Sequence, residues 1–411
     1  MSKPLSDRVI TIYCGLLMAV TAFSIDITLP FFSQIREAMQ ASDQTVFATI
    51  TVNIFCLGIG QLFFGSISDR FGRKRAAKIG LSIYLIGAVV AFTASSMTAL
   101  LLGRALQGFG GGAAPVVARA IIRDRFTGDR MAQNMALASG IFSIGPILAP
   151  LIGAGMIELG ADWRAVFGAM ILMAAMLLAA LSKIPETLAQ PNPDALKPRA
   201  IASNVTALFS QRQSRYFLLL SGWTMICIVM IISGMPLVME NAFGVTGSLF
   251  AVMFAVHGLG IIIGQWANHW LIGRIGTLGA SIYGAITLVA AFSLIVLLTW
   301  FDWLSAWGLA ILIVMFAVGY LPVYSNAASL TLEHHGQRAG FAAAFFGAYG
   351  QLFSATATTV FLAYSAGSLL AWSSILLLVG TVTLIGLLAW RGMSTEVISP
   401  SASNSSSANA T

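Results

Sequence analysis

Two charged residues stand inside stretches of sequence that leave them no water. Asp26 lies in Ser24-Ile25-Asp26-Ile27-Thr28-Leu29-Pro30 and Arg104 in Leu102-Gly103-Arg104-Ala105-Leu106-Gln107-Gly108, each within an apolar run of membrane-spanning length. A lone Arg in such a run costs about 2.5–3.5 kcal/mol to insert, so it must face a polar interior and not lipid. Its guanidinium keeps its proton throughout, so its use is to act on an acid. Asp26 is the one acid placed well inside a span. Desolvation favours its neutral form and a nearby cation its charged form. A carboxyl held between the two can load and release one proton. Other polar or aromatic side chains could line the cavity such a relay serves: Gln107 beside Arg104, and His257, Asn326, Tyr349 and Phe353 in the second half of the chain. His257 is a further candidate proton carrier, because imidazole titrates near neutrality.

The elements that must hold these residues are helices in lipid. Apolar types make up 58% of the 411 residues and charged types 9%, with a mean hydropathy of +0.87. A soluble globular chain is about a quarter charged. So few charges cannot coat a soluble particle, whereas lipid asks for no polar coat. At about 20 residues per span plus short loops, the chain holds twelve helices between residues 9 and 390. All but Arg36, Arg104 and Arg164 of the 22 Lys and Arg fall in or beside one set of alternate loops and the two tails. That asymmetry places both termini in the cytoplasm. It also explains the formal charge of +7 as topology, with no nucleic acid as partner. Cys14, Cys56 and Cys227 lie inside spans and are spaced like neither a metal site nor a disulfide framework.

The longest break, Lys183 to Arg215, carries Pro185, Pro191, Pro193 and Pro198 with mixed charge. The expected organisation is a six-helix bundle over 1–184, a cytoplasmic linker over 185–215, a second six-helix bundle over 216–393 and a disordered tail, rich in Ser, Asn and Ala, over 394–411. Gly60-Gln61, Arg70 and Gly72 recur 204 residues later (264 less 60) as Gly264-Gln265, Arg274 and Gly276. Parallel repeats of this kind place a substrate near the midplane, between the halves. Glycines within spans, as at Gly108, Gly110, Gly111 and Gly112, let backbones approach and slide. Prolines inside spans, among them Pro30, Pro146, Pro150, Pro236 and Pro322, permit kinks. Such helices suit a machine that rocks between two shapes.

Four motifs carry a resemblance to a family. Gly65-Ser66-Ile67-Ser68-Asp69-Arg70-Phe71-Gly72-Arg73-Lys74 resembles the inner-loop signature of the major facilitator superfamily: a Gly, an Asp four residues on, then Arg-x-Gly-Arg-Lys. The resemblance implies a conformational latch built from Gly65, Asp69, Arg70, Gly72 and Arg73, which in the family holds the halves in the outward-facing state. Asp69 would pair with Arg73 and face a helix N-terminus across the bundle, and Asp124 resembles the acidic partner of Arg73. Arg104 to Gly108 resembles the motif Arg-x-x-Gln-Gly, whose Arg is implicated in proton transfer. Asp26 with Leu29-Pro30 resembles the first-span motif of the bicyclomycin- and chloramphenicol-resistance (Bcr/CflA) branch of drug:proton antiporters. In the fifth span, Gly145, Ala149, Pro150 and Gly153 resemble the antiporter motif Gly-x-x-x-Gly-Pro-x-x-Gly-Gly, with Ala149 and Ala154 in place of two glycines. Asp162-Trp163-Arg164 and Pro185-Glu186-Thr187-Leu188 are further echoes of that branch.

These readings give an all-α polytopic membrane protein with the major-facilitator fold: twelve transmembrane helices in two pseudo-symmetric six-helix halves, a monomer in a bacterial inner membrane. The expected function is proton-coupled efflux of small lipophilic, drug-like molecules by alternating access, driven by the proton gradient with no cofactor. A transporter of a metabolite, exporter or importer, is the alternative, since no motif encodes the shape of a cavity. The sequence has no nucleotide-binding P-loop, no His-rich metal box and no paired buried carboxylates, so neither an ATP motor nor an enzyme is expected.

Overall fold

The computed structural model describes residues 6–335 and 338–396, and these are helical with no strand among them. In chain order the helices are α1 (Asp7–Asp26), α2 (Phe32–Met39), α3 (Asp43–Phe71), α4 (Arg73–Phe92), α5 (Met97–Gly111), α6 (Ala113–Arg125), α7 (Gly128–Glu158), α8 (Arg164–Leu181), α9 (Pro198–Ser210), α10 (Arg212–Phe243), α11 (Gly247–Trp300), α12 (Ala306–Leu332), α13 (Ala339–Ser365) and α14 (Leu369–Glu396). Ten stretches are long and apolar enough to cross a membrane. In these, α1 and α2 make one span joined by the 3-10 turn Leu29–Phe31, and α5 and α6 make another. The 54-residue α11 is two spans, parted at Gly276. α13 is more polar, with Gln351 and several Ser and Thr, but it lies alongside the others and completes the twelve expected from the sequence.

Local chemistry sets these boundaries. Ser6, Ser42, Ser96 and Ser305 each cap a helix, the hydroxyl accepting from the backbone N–H three residues on. Pro30 sits in the 3-10 turn Leu29–Phe31 that interrupts the first span shortly after Asp26. Gly72 separates α3 from α4 at φ 103° and ψ 154°, and Gly276 divides α11 at φ 72° and ψ 172°. A side chain is disfavoured at both positive φ values. The repeat read from the sequence is therefore one turn geometry used twice.

The linker region is more ordered than a Pro-rich stretch suggests. Within it α9 buries Leu208 and sets Phe209 edge-on to Phe345 at 6.2 Å. Of the expected tail, residues 397–411 lie outside the described residues, while α14 continues to Glu396.

The two halves meet along α3–α13 and α7–α11. A Cβ on Gly58 would come within 3.0 Å of the Ala348 carbonyl, one on Gly65 within 3.6 Å of Ala344, and one on Gly258 would collide with Ile147. One face of the bundle, the basic face, gathers Asp7 paired with Arg125 at 2.8 Å, the Arg73 cluster and α9. The far face carries the ends of α2 and α10 and a fringe of exposed indoles, Trp300, Trp303 and Trp307. Such indoles mark the polar edge of a membrane.

Candidate functional site

The mid-membrane group is built where three helices cross without room for side chains. A Cβ on Gly108 would collide with the Asn53 carbonyl, which brings α5 against α3. Asn53 Nδ2 in turn donates to the Arg104 carbonyl at 2.9 Å. Arg104 is 1% exposed. Its Nε donates to the Thr49 carbonyl at 3.2 Å, and its Nη1 to the Ser24 carbonyl at 3.0 Å and to Gln107 Oε1 at 3.0 Å. Its Nη2 has no partner among the described residues, and neither does the buried hydroxyl of Tyr84. A buried guanidinium with one idle nitrogen is poised to accept another arrangement of acceptors.

Asp26 is 3% exposed and closes α1. Among the described residues no hydrogen bond or ion pair engages its carboxylate, and Arg104 is bonded two residues earlier, at Ser24. The sequence places the two charges in one compartment. In this shape of the molecule, however, they are not an ion pair.

The α7 motif reaches Asp26 from another side. Gly145 lies beside Ala22, with a Cβ at 3.4 Å, and Gly153 beside the break in the first span, with a Cβ at 2.9 Å from the Ile27 carbonyl and 3.2 Å from Pro30. Gly145, Ala149 and Gly153 follow one another at helical spacing and are all buried, as is Pro150. Thus the smooth edge of α7 brackets the segment that holds the acid, while Ile147 of the same helix meets Gly258 in the other half. Alanine at 149 keeps that edge smooth.

At the basic face Arg73 is 3% exposed and organises its surroundings. It pairs with Asp69 through Nη1 and with Asp124 Oδ2 at 2.7 Å through Nε, and Nη1 also donates to Ser68 Oγ at 2.9 Å. Two details differ from expectation. The carboxylate at a helix N-terminus belongs to Glu186: it accepts from the backbone N–H of Arg73 at 2.9 Å and of Lys74 at 3.1 Å, at the start of α4. Asp69 itself turns to Arg73, within its own half. Arg70 stands apart from the cluster, over the Phe71 ring at 5.2 Å.

Lys74 completes a reciprocal staple, its Nζ donating to the Ser182 carbonyl at 2.7 Å and the Ile184 carbonyl at 3.0 Å, at the end of α8. A Cβ on Gly72 would collide with Glu186 Oε2, so glycine is needed there for space as well as for φ. Partial burial opposes the charge on Glu186. Four backbone N–H groups, those of Leu188, Arg73, Lys74 and Thr187, outweigh it and hold the carboxyl below its usual range. Nothing in the type or spacing of Glu186 alone marks it. Only its place in the Pro185-Glu186-Thr187-Leu188 echo singles it out.

The expected cavity residues of the second half are only partly available. Asn326 is committed to a reciprocal amide pair with Asn268, at 3.0 and 3.2 Å, and also donates to the Thr277 carbonyl. Gln107 is held by Arg104 and by Met170 Sδ at 3.1 Å. His257 is buried, its Nδ1 2.7 Å from the Phe254 carbonyl and its ring 4.5 Å from that of Phe254. Tyr349 and Phe353 stack at 5.8 Å and lie over Gly222, with Phe353 partly exposed. Two amides that sequence reasoning left unassigned face the seam between halves. Gln61 lies against Gly347, and both Gln61 and Gln351 keep a buried Oε1 without a partner among the described residues.

A bundle of twelve long helices in two repeated halves, with a carboxyl and a guanidinium buried among the helices of the first, has the architecture of a membrane transporter. The chain belongs to the Major Facilitator Superfamily, whose profile matches residues 14–358. It is similar to an MFS-type transporter of Bacillus subtilis, 29% identical over 81% of this chain and 83% of that one. It is also similar to the bicyclomycin resistance protein homolog of Haemophilus influenzae, 29% identical over 84% and 87%, and to multidrug resistance protein D of Escherichia coli, 28% over 81% and 83%. The Bcr/CflA resemblance read from the first six spans is thus matched by relatives named for drug resistance. In fold it is similar to the xylose transporter XylE of Escherichia coli in a partially occluded inward-open conformation, with a TM-score of 0.73, 14% identity and 94% and 98% of the chains covered. A transporter of the POT family in complex with 5-aminolevulinic acid gives a TM-score of 0.74 at 11% identity over 95% and 96%.

Proposed function

We propose that this transporter exports small drug-like molecules from the cytoplasm in exchange for protons, with Asp26 as the proton carrier. The observation that carries the reading is the setting of Asp26: an unpaired, buried carboxyl at the break of the first span. Smooth α7 packs on one side of it, and Arg104 is held just short of it. The drug-resistance names of its relatives support the choice of substrate class.

The basic face is assigned to the cytoplasm by the Lys and Arg asymmetry, with both termini on that side. The far face, shut by Arg36 and Glu240, is then the periplasmic gate, and this shape is inward-facing. In it Asp26, buried with no cation beside it, is favoured in its protonated form, and it gives up that proton inward when Arg104 turns to it. Rocking slides α1 along α7 and breaks the bonds of Arg104 to Ser24. The idle Nη2 is the donor left for a charged Asp26 while substrate crosses. Protonation from outside then releases Arg104 and permits return.

The test is efflux from cells overexpressing the protein across a drug panel, with and without a protonophore. Resistance that survives the protonophore sinks the coupling, and no resistance to any drug favours a metabolite as substrate. Topology is tested separately: a cysteine at Ser96 or Gly367 should be labelled from outside, and one at Ser394 should not.

A further inference from the structure

A cavity of about 400 Å3 lies at the basic face between the two halves, within the size range of drug-binding sites, about 300–1,000 Å3. α3, α6 and α7 wall it on one side and α12 and α13 on the other, and Asn192, Ala195 and Asn204 of the linker region edge it. Its charged lining is Asp69, Arg73, Arg119 and Arg123, three cations against one anion. Asp69 and Arg73 neutralise each other, and Arg123 lies 3.9 Å from Asp124. Arg119 is different. It is half-buried on α6, with Tyr324 of α12 as its electrostatic neighbour across the seam. Among the described residues it makes no hydrogen bond and no ion pair. Around it Leu62, Met131, Met135, Leu332 and Phe341 supply an apolar wall with two adaptable thioethers.

A half-buried guanidinium with no acceptor among the described residues keeps its donors free for a ligand that enters the cavity. Its planar fork of donors matches a carboxylate or sulfonate in two bonds. We propose that this cavity is an entry site for amphiphilic anions, the acidic head on Arg119 and the apolar body on Met131, Met135 and Phe341. The inference deepens the transport reading and rests on it for direction, but binding at the site does not depend on proton coupling. It also fits the energetics of exchange. A monoanion leaving against one entering proton moves two charges in the direction the membrane potential favours, so its export is twice as voltage-sensitive as that of a neutral molecule.

Equilibrium binding of 2-naphthoate and of its neutral isostere 2-naphthamide to the full chain in zwitterionic nanodiscs, with no gradient, tests the proposal. The wild type should bind the acid at least about tenfold more tightly than the amide, the scale of a charge-assisted pair. Arg119→Gln should abolish that preference while leaving amide binding unchanged, and Arg119→Lys should restore part of it. Equal binding of acid and amide by the wild type, or a parallel loss of both in Arg119→Gln, overturns the proposal. Adding phosphatidylglycerol distinguishes the sources of the anion. Competition with naphthoate that Arg119→Gln removes assigns the site to an inner-leaflet lipid head, and no competition assigns it to a dissolved amphiphile. Acid preference without proton-driven efflux defeats the antiport reading alone, and proton-driven efflux without acid preference defeats this proposal alone.

Discussion

Arg36 of α2 and Glu240 of α10 grip each other across the far face, Nη1 donating to Oε2 at 3.2 Å and Nη2 to Oε1, with Asp43 on the other side of the guanidinium at 3.0 Å. Among the described residues this is the one ion pair that joins the two halves. Every pair at the basic face stays within its own half. Among the described residues, ion pairing between the halves is thus confined to the far face.

Neutralising that gate should favour opening of the far face. The side chains are 28% and 24% exposed, so the pair contributes only about 0.2–1 kcal/mol, a shift in population of about 1.4-fold to fivefold. Spin labels on Ala41 and Asn241 should report longer distances in Arg36→Gln and in Glu240→Gln. The exchange Arg36→Glu with Glu240→Arg should return the wild-type distribution. Identical distributions in all four proteins would remove the pair from the gating account.

Asp26→Asn should leave a folded protein that equilibrates a neutral substrate but no longer concentrates it. With one carrier site, one pH unit supplies about 1.4 kcal/mol per turnover, and 100 mV acting on one net charge about 2.3 kcal/mol. In reconstituted vesicles, export of a neutral drug should respond to both, and export of a monovalent cation to the pH gradient alone. If Asp26→Asn still accumulates a neutral drug, another residue carries the proton, and His257 is tested next.

The α7 edge makes a local prediction. Gly153→Val forces a side chain against the Ile27 carbonyl and Pro30, an overpacking of about 1–3 kcal/mol that should lower turnover and Tm together. Gly155, two residues on, faces open space, with nothing within 4 Å of where a Cβ would stand, so Gly155→Ala should be silent. Equal effects would mean that helix flexibility, not contact with the first span, sets the phenotype.

The staple at Glu186 has a pH dependence of stated sign. Its folded carboxyl titrates below its ordinary value of 4.5. Its contribution is therefore fully present above that value and is lost only as pH falls through the lower, folded one. Glu186→Gln should lower the detergent-solubilised Tm by the same amount at every pH from about 5 to 8, with the difference closing only in stronger acid. A difference that grows between those two values would contradict the assignment.

Much of this molecule is legible in its sequence because lipid leaves few choices. The spans, the two halves and the Gly72–Gly276 correspondence follow from apolar length and turn chemistry. So does the pairing of Arg73 with Asp69, four residues apart on what the sequence shows to be one polar segment. What is hidden depends on which way a side chain turns. Arg104 and Asp26 each declare themselves by being charged, but their separation depends on a rotamer that reaches the Ser24 carbonyl. Asn326 looks like a cavity residue until Asn268, 58 positions away, claims its amide. Arg119 reads as one more topology charge, since nothing in its neighbourhood reveals that it lacks an acceptor.

The modest hydropathy of α13 bears on how the protein is made. Eleven spans can partition from the translocon into lipid on their own apolar character, whereas Ala339–Ser365 falls short of that standard. It fits instead against α3, where Gly58 and Gly65 accept the Ala348 carbonyl and Ala344. Because α3 is synthesised some three hundred residues earlier, it is already in the bilayer as a template when α13 emerges. Biogenesis of the second half thus depends on the first. The two halves expressed as separate chains should assemble only when the N-terminal one is present from the outset.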